Sequence, residues 1–181
     1  MLALTSLLTD PEAERINGII KSLETKFGLN DVQATLDPHI TYQLAGVEHL
    51  GALKAVLNAV AVATPPFKVH ATGLGVFPGP RPVIYIPVLR SDALNDLHHR
   101  VLATIAPLCF ETDRFSAPDL WLPHISLALH DTTPELLGRV LMYLNEETYN
   151  LTLTIDNLAI LRQEGELFVR EQVFAMGNAL C

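Results

Sequence analysis

Two short segments hold the residues able to do chemistry. Pro38-His39-Ile40-Thr41-Tyr42 recurs 85 positions later as Pro123-His124-Ile125-Ser126-Leu127. Each is proline, histidine, apolar, hydroxyl, apolar, and each reads as a β-strand. Side chains i and i+2 share one face of a strand, so His39 stands beside Thr41 and His124 beside Ser126. An imidazole with an ordinary pKa of about 6.5 gives or takes a proton near neutrality. A compact hydroxyl donates readily to a phosphate oxygen. Phosphoryl transfer needs a base for the attacking oxygen, an acid for the leaving oxygen, and donors for the remaining ones. Two such pairs across one phosphodiester would supply all three with no metal and no other cofactor.

The bare pattern is uninformative. His70-Ala71-Thr72 and His130-Asp131-Thr132 also match it, so four of the seven histidines do. Context singles out His39 and His124: a proline marking each strand start, an apolar residue on both sides of the hydroxyl, and equivalent places in a repeat. Alternation then assigns the faces. Ile40, Tyr42 and Leu44, with Ile125, Leu127 and Leu129, are expected to face helices. His39, Thr41 and Gln43, with His124, Ser126 and Ala128, are expected to line a polar cleft. His70 and His130 are expected at the cleft rim at most. His98-His99-Arg100 falls mid-helix, where neighbouring side chains diverge, so it is not read as a metal site.

The elements that must position these groups are legible from punctuation and period. Leu2–Leu8 reads as a strand. Asp10-Pro11 predicts a cap and first turn for a helix with Ile16, Ile19, Ile20, Leu23 and Phe27 on one face, stopped by Gly28. Thr35–Leu44 is the first histidine strand. A helix carrying Leu50, Leu53, Leu57 and Val60 follows, broken by Pro65-Pro66. Phe67–Gly73 and Arg81–Leu89 read as strands around the turn Gly75–Pro80. Ser91-Asp92 then caps a helix with Leu94, Leu97, Val101, Leu102 and Ile105. Leu120–Leu129 is the second histidine strand, and Thr133-Pro134-Glu135 opens a helix with Leu136, Leu137, Val140, Leu141 and Leu144. Leu151–Leu161 and Glu166–Met176 are strands around the turn Gln163-Glu164-Gly165.

Landmarks recur at similar offsets: Pro11 with Asp92, His39 with His124, Phe67 with Leu151. This predicts one domain over 1–181, duplicated as halves 1–89 and 90–178 about an approximate two-fold axis. The expected fold class is α+β and bilobal: two antiparallel sheets flank a central cleft, with helices on the outer faces.

Composition bounds the partners. The chain has 181 residues, 49% of them hydrophobic, which is the balance of a folded globular protein. Charges or prolines break every apolar run, so no membrane span is expected. Met1–Thr5 lacks the basic start of a secretory signal. Cys109 and Cys181 have no metal-type spacing, and a reduced cytoplasmic setting is expected. The formal net charge is −8, with twelve Lys and Arg scattered singly. A surface that tracks long duplex nucleic acid carries a basic stripe instead. There is no Walker-type loop, no His-Glu-x-x-His, no paired Cys-x-x-Cys and no Gly-x-Ser-x-Gly elbow.

The two tetrapeptides His39-Ile40-Thr41-Tyr42 and His124-Ile125-Ser126-Leu127 resemble the paired His-x-Thr/Ser-x signature of the two-histidine (2H) phosphoesterases. That superfamily includes bacterial 2′-5′ RNA ligase-like proteins and cyclic nucleotide phosphodiesterases. The similarity spans nearly the whole chain, including Phe67–Phe77, which looks like the family's strand leading to a Gly-Phe-Pro turn. Ser126 stands where threonine is commoner. The resemblance implies metal-independent chemistry on 2′,3′-cyclic phosphates or 2′-5′ linkages. By residue matching it makes His39 and His124 the acid–base pair, and Thr41 and Ser126 the phosphate holders.

Three further residues are candidate substrate contacts: Tyr85 as a stacking surface for a base, Arg81 as a phosphate partner beside its turn, and Trp121 as a cleft wall. The function expected is hydrolysis of the 2′,3′-cyclic phosphate of a nucleoside or of an oligonucleotide (RNA) end by a cytoplasmic monomer. Two alternatives are a 2′-5′ RNA ligase or phosphodiesterase acting on RNA ends, and a non-catalytic nucleotide-binding module.

Overall fold

The apolar periods read from the sequence produce four α-helices and ten strands in the computed structural model, which describes residues 1–35 and 37–177. Leu36, within the expected first histidine strand, and Asn178 and Cys181 lie outside the described residues. In chain order the elements are β1 (Leu2–Leu7), α1 (Glu12–Phe27), β2 (His39–Val47), α2 (Leu50–Val62), β3 (Phe67–Thr72), β4 (Gly75–Phe77) and β5 (Val83–Pro87). There follow α3 (Asp92–Ile105), β6 (Cys109–Phe110), β7 (His124–Ala128), α4 (Pro134–Leu144), β8 (Asn150–Ile155), β9 (Asn157–Glu164) and β10 (Leu167–Ala175). The fold is α+β with antiparallel sheets. Among the described residues no helix is long and apolar enough to cross a membrane.

The helices form where capping and one-sided apolar spacing coincide. Ser91 and Thr133 cap α3 and α4, their hydroxyls accepting from Leu94 N and Leu136 N. Asp10 does not cap α1. Pro11 takes the cap position with no side-chain bond, while Glu12 and Glu14 place negative charge at the positive end of the helix. Gly28 ends α1 at φ +75, where a side chain would be strained.

Hydrogen bonding divides the strands into a five-stranded sheet (β10-β9-β1-β2-β6), a pair (β3-β8) and a three-stranded sheet (β4-β5-β7). That is three groups where the sequence predicts two sheets, although a bridge between Ala71 and Val88 ties the pair to the end of β5. The expected strand Leu151–Leu161 is two strands. It breaks at Asp156, so that β8 pairs with β3 while β9 crosses to pair with β1. The Gly75–Pro80 turn is shorter than expected because Gly75–Phe77 forms β4 against β5. The second histidine strand covers only His124–Ala128, and Leu120–Pro123 is irregular.

Register ties the two parts of the chain together. β3 and β8 pair with Phe67 opposite Ile155, Val69 opposite Leu153 and Ala71 opposite Leu151. β5 leads into α3 as β1 leads into α1, and it pairs with β7 as β1 pairs with β2. At the β1–β9 contact, Asn157 bridges both strands. Its Oδ1 accepts from Leu7 N at 2.9 Å and its Nδ2 donates to Leu7 O at 2.9 Å.

Candidate functional site

The two histidine strands sit in different sheets, yet their hydroxyl motifs are positioned by the same local device. Across the β1–β2 ladder Leu7 faces His39 and Thr5 faces Thr41; the register then slips so that Leu4 faces Gln43. Across β5–β7, Pro87 faces His124 and Tyr85 faces Ser126; the register slips again so that Ile84 faces Ala128. The residues skipped are Tyr42 and Leu127, which occupy equivalent places in the two motifs. A bulge adds one residue to one strand and inverts the alternation beyond it. Up to the bulge the expected faces hold: His39, Thr41, His124 and Ser126 are half-buried, while Ile40, Tyr42, Ile125 and Leu127 are fully buried.

Beyond the bulge they do not hold. Gln43 and Ala128 turn into the core, and Leu44 and Leu129 turn outward to line the cavity. The expectation of Gln43 and Ala128 as cleft residues is therefore corrected. Gln43 instead donates to the backbone, to Leu44 O at 2.8 Å.

A cavity of about 810 Å³ opens at this place, within the range of small-molecule sites. His39, Thr41 and Ser126 line it. His124 shares its strand face with Ser126 and packs beside the cavity, its ring 5.1 Å from both Phe77 and Tyr85. The two imidazoles are held identically. Nδ1 of His39 lies 2.7 Å from the carbonyl of Asp37, and Nδ1 of His124 lies 2.7 Å from the carbonyl of Leu122. A carbonyl only accepts, so in each ring Nδ1 carries the proton and Nε2 is left free for chemistry.

Burial lowers the pKa of both histidines. For His39 the Asp37 carbonyl opposes this, and the neighbouring His124 lowers it further. For His124 the Leu122 carbonyl opposes it. The proximity that lets one ring feel the other's charge also suits two groups that share a proton over one ligand.

The second-rank residues divide. Tyr85 stacks on Phe77 at 4.2 Å and flanks His124, on the same face as Ser126. Arg81 is exposed on the β4–β5 turn and does not line the cavity. Trp121 is not a cleft wall, because its ring is buried and stacks on His98 at 3.8 Å and 11°. Its indole N–H donates to Thr41 O at 2.9 Å, so it braces the first motif from behind. His70 stays away on β3, its Nδ1 3.2 Å from Thr152 Oγ1, whereas His130 is exposed and lines the cavity, consistent with a place at its rim.

Several residues at the site have no signal in the sequence. Thr5 lies opposite Thr41, completely buried, with its hydroxyl unpartnered. A 3-10 turn at Asp31–Ala34 forms one wall, its start held by Asp131, whose Oδ2 accepts from Asn30 N and Asp31 N. Phe168, on β10, forms another. Gly75 could have been found, as a glycine beside an aromatic strand. A Cβ there would clash with the Tyr85 ring, which is fixed by Phe77 and His124. Gly75→Ala is therefore expected to cost about 1–3 kcal/mol, read as a lower urea midpoint at unchanged slope.

Comparison with known proteins bears on the family and the fold. The family described as the 2′-5′ RNA ligase superfamily matches residues 10–167. Among solved structures, TT0787 of Thermus thermophilus is similar over 98% of both chains, with a TM-score of 0.72 at 18% identity. E. coli LigT complexed with 3′-AMP is similar over 97% of this chain and 96% of its own, with a TM-score of 0.58 at 14% identity. E. coli LigT complexed with NADP+ gives a TM-score of 0.58 at 16% identity over the same shares. No curated protein sequence matches the chain.

Proposed function

Because the chain belongs to the 2′-5′ RNA ligase superfamily, the two-histidine phosphoesterases, we propose that it hydrolyses nucleoside or oligonucleotide 2′,3′-cyclic phosphates without a metal. One imidazole takes a proton from water as its oxygen bonds to phosphorus. One ribose oxygen leaves, and the other imidazole gives it a proton. Thr41 and Ser126 hold the oxygens that neither attack nor depart, where donors count most as charge builds in the transition state. The observation that carries this reading is the paired tautomer lock, which leaves a free Nε2 on each of two neighbouring rings.

The same reading takes the chain as one bilobal domain of two related halves, 1–89 and 90–178. The β3–β8 register supports it. An offset of 84 residues carries the pair Phe67–Ile155 onto Leu151–Ala71, with Val69–Leu153 as the self-equivalent pair on the axis. The matched bulges at Tyr42 and Leu127, 85 residues apart, support it as well. A monomer working in the reducing cytoplasm completes it.

Incubation of the purified protein with adenosine 2′,3′-cyclic phosphate in excess EDTA is expected to release a single nucleoside monophosphate at the rate seen without chelator. Loss of activity that returns with added metal would overturn the metal-independent mechanism.

A further inference from the structure

Resting on that phosphoesterase reading, we propose that this cavity is a charge filter: it takes substrates bearing a single phosphate and rejects those bearing a second. Among the described lining residues there is no Lys or Arg, and only His39 and His130 can carry positive charge. Three acidic residues, Glu24, Asp31 and Glu166, are among those that line it. Glu24 is occupied, taking Lys21 Nζ at 2.7 Å and Gln33 Nε2 at 3.0 Å. Asp31 and Glu166 form no ion pair among the described residues.

The arginines of the neighbouring β9–β10 hairpin are already committed. Arg170 holds Asp37 through Nε at 3.0 Å, and Arg162 holds Glu171 at 2.8 Å and Glu164 at 2.6 Å. The charge count is then simple. One shared proton on the two catalytic imidazoles balances the single negative charge of a cyclic diester. A second phosphate would find no lysine or arginine, two free carboxylates, and the apolar side chains of Leu44, Leu129 and Phe168. Exposed charges about 10 Å apart still interact at low ionic strength, and added salt screens them. Of the two substrate classes proposed, the filter selects the nucleoside: the remainder of the substrate is uncharged and partly apolar with a free 5′-hydroxyl, not a 5′-phosphorylated nucleotide or an oligonucleotide.

Calorimetric titration with 3′-AMP and with adenosine 3′,5′-bisphosphate tests this without needing turnover. At low salt 3′-AMP is expected to bind about tenfold more tightly. The ratio should shrink on raising the salt and in the paired Asp31→Asn, Glu166→Gln variant, both of which lie at exposed positions. Equal binding of the two nucleotides, or tighter binding of the bisphosphate, overturns the filter. So does a ratio that neither salt nor the variant changes, since shape would then be discriminating. Kinetics separate the two claims: a binding preference with no cyclic phosphate opened by the wild-type protein would sink the hydrolase and leave the filter standing.

Discussion

Alanine in place of His39 or His124 is expected to lower kcat for a nucleoside 2′,3′-cyclic phosphate by about 10²–10⁴-fold, with thermal stability close to that of the wild type. Each ring is half-buried, and its Nδ1 makes the one hydrogen bond that fixes it to a backbone carbonyl. Removing the ring therefore frees a carbonyl at the cavity edge, where water can replace it, and opens no hole in the core. The double variant should be little worse than either single one, because an acid without its base supports only part of the mechanism.

The pH profile carries independent information. Burial depresses both histidine pKa values below the ordinary 6.5 or so. One ring must be protonated and one neutral, so kcat/KM is expected to peak on the acid side of that value and to fall as pH rises beyond it. A bound phosphate anion stabilises the imidazolium, so the kcat profile should lie to the alkaline side of the kcat/KM profile. Variants that hydrolyse cyclic phosphates as well as the wild type would remove the two-histidine mechanism outright.

How much of this the sequence disclosed follows from what each feature depends on. The histidine strands were legible because their signal is local: a proline start, strict alternation and a repeat 85 residues on. The faces of Gln43, Leu44, Ala128 and Leu129 were not, because a bulge is created by the pairing partner. Nothing in Tyr42 or Leu127 marks a residue that β1 or β5 will skip. Trp121 was misplaced for a related reason. Nearness to His124 in sequence says nothing of direction in an irregular segment, and the ring turns toward α3 instead of the cavity. The break at Asp156 was hidden because β8 and β9 both read as apolar strand, although one completes a different sheet from the other. The cavity's two unpaired acidic residues, Asp31 and Glu166, come from a 3-10 turn and a hairpin tip, which have no period to read.

The second large effect is acid sensitivity seated at His98. This ring is completely buried in a cluster with Trp121 at 3.8 Å and Tyr42 at 6.4 Å. Its pKa is lowered to about 4, mainly by burial. The carbonyls of Tyr42 and Ser116 oppose the shift, and positive charge on His99 and Arg90 adds to it. In the unfolded chain the same imidazole titrates near about 6.5. The unfolded state therefore binds the proton more tightly, and protonation favours unfolding. The stability that depends on a neutral His98 is intact above about pH 6.5 and is lost progressively down to the folded value, amounting to about 3 kcal/mol. His39 and His124 shift in the same direction and add to the loss.

His98→Phe keeps an aromatic ring on Trp121 and removes the titration, so its denaturant midpoint should change much less between pH 7 and pH 4 than that of the wild type. Trp121 is the only tryptophan, so its emission reports the transition directly. Because its indole also holds the Thr41 carbonyl, a protonated His98 that loosens the stack would also release Thr41, whose hydroxyl is proposed to hold phosphate. Phosphate affinity in the wild type should then fall with the emission change, ahead of global unfolding, and stay level in His98→Phe. Parallel pH–stability curves for the two proteins would show that the acid sensitivity resides in other groups.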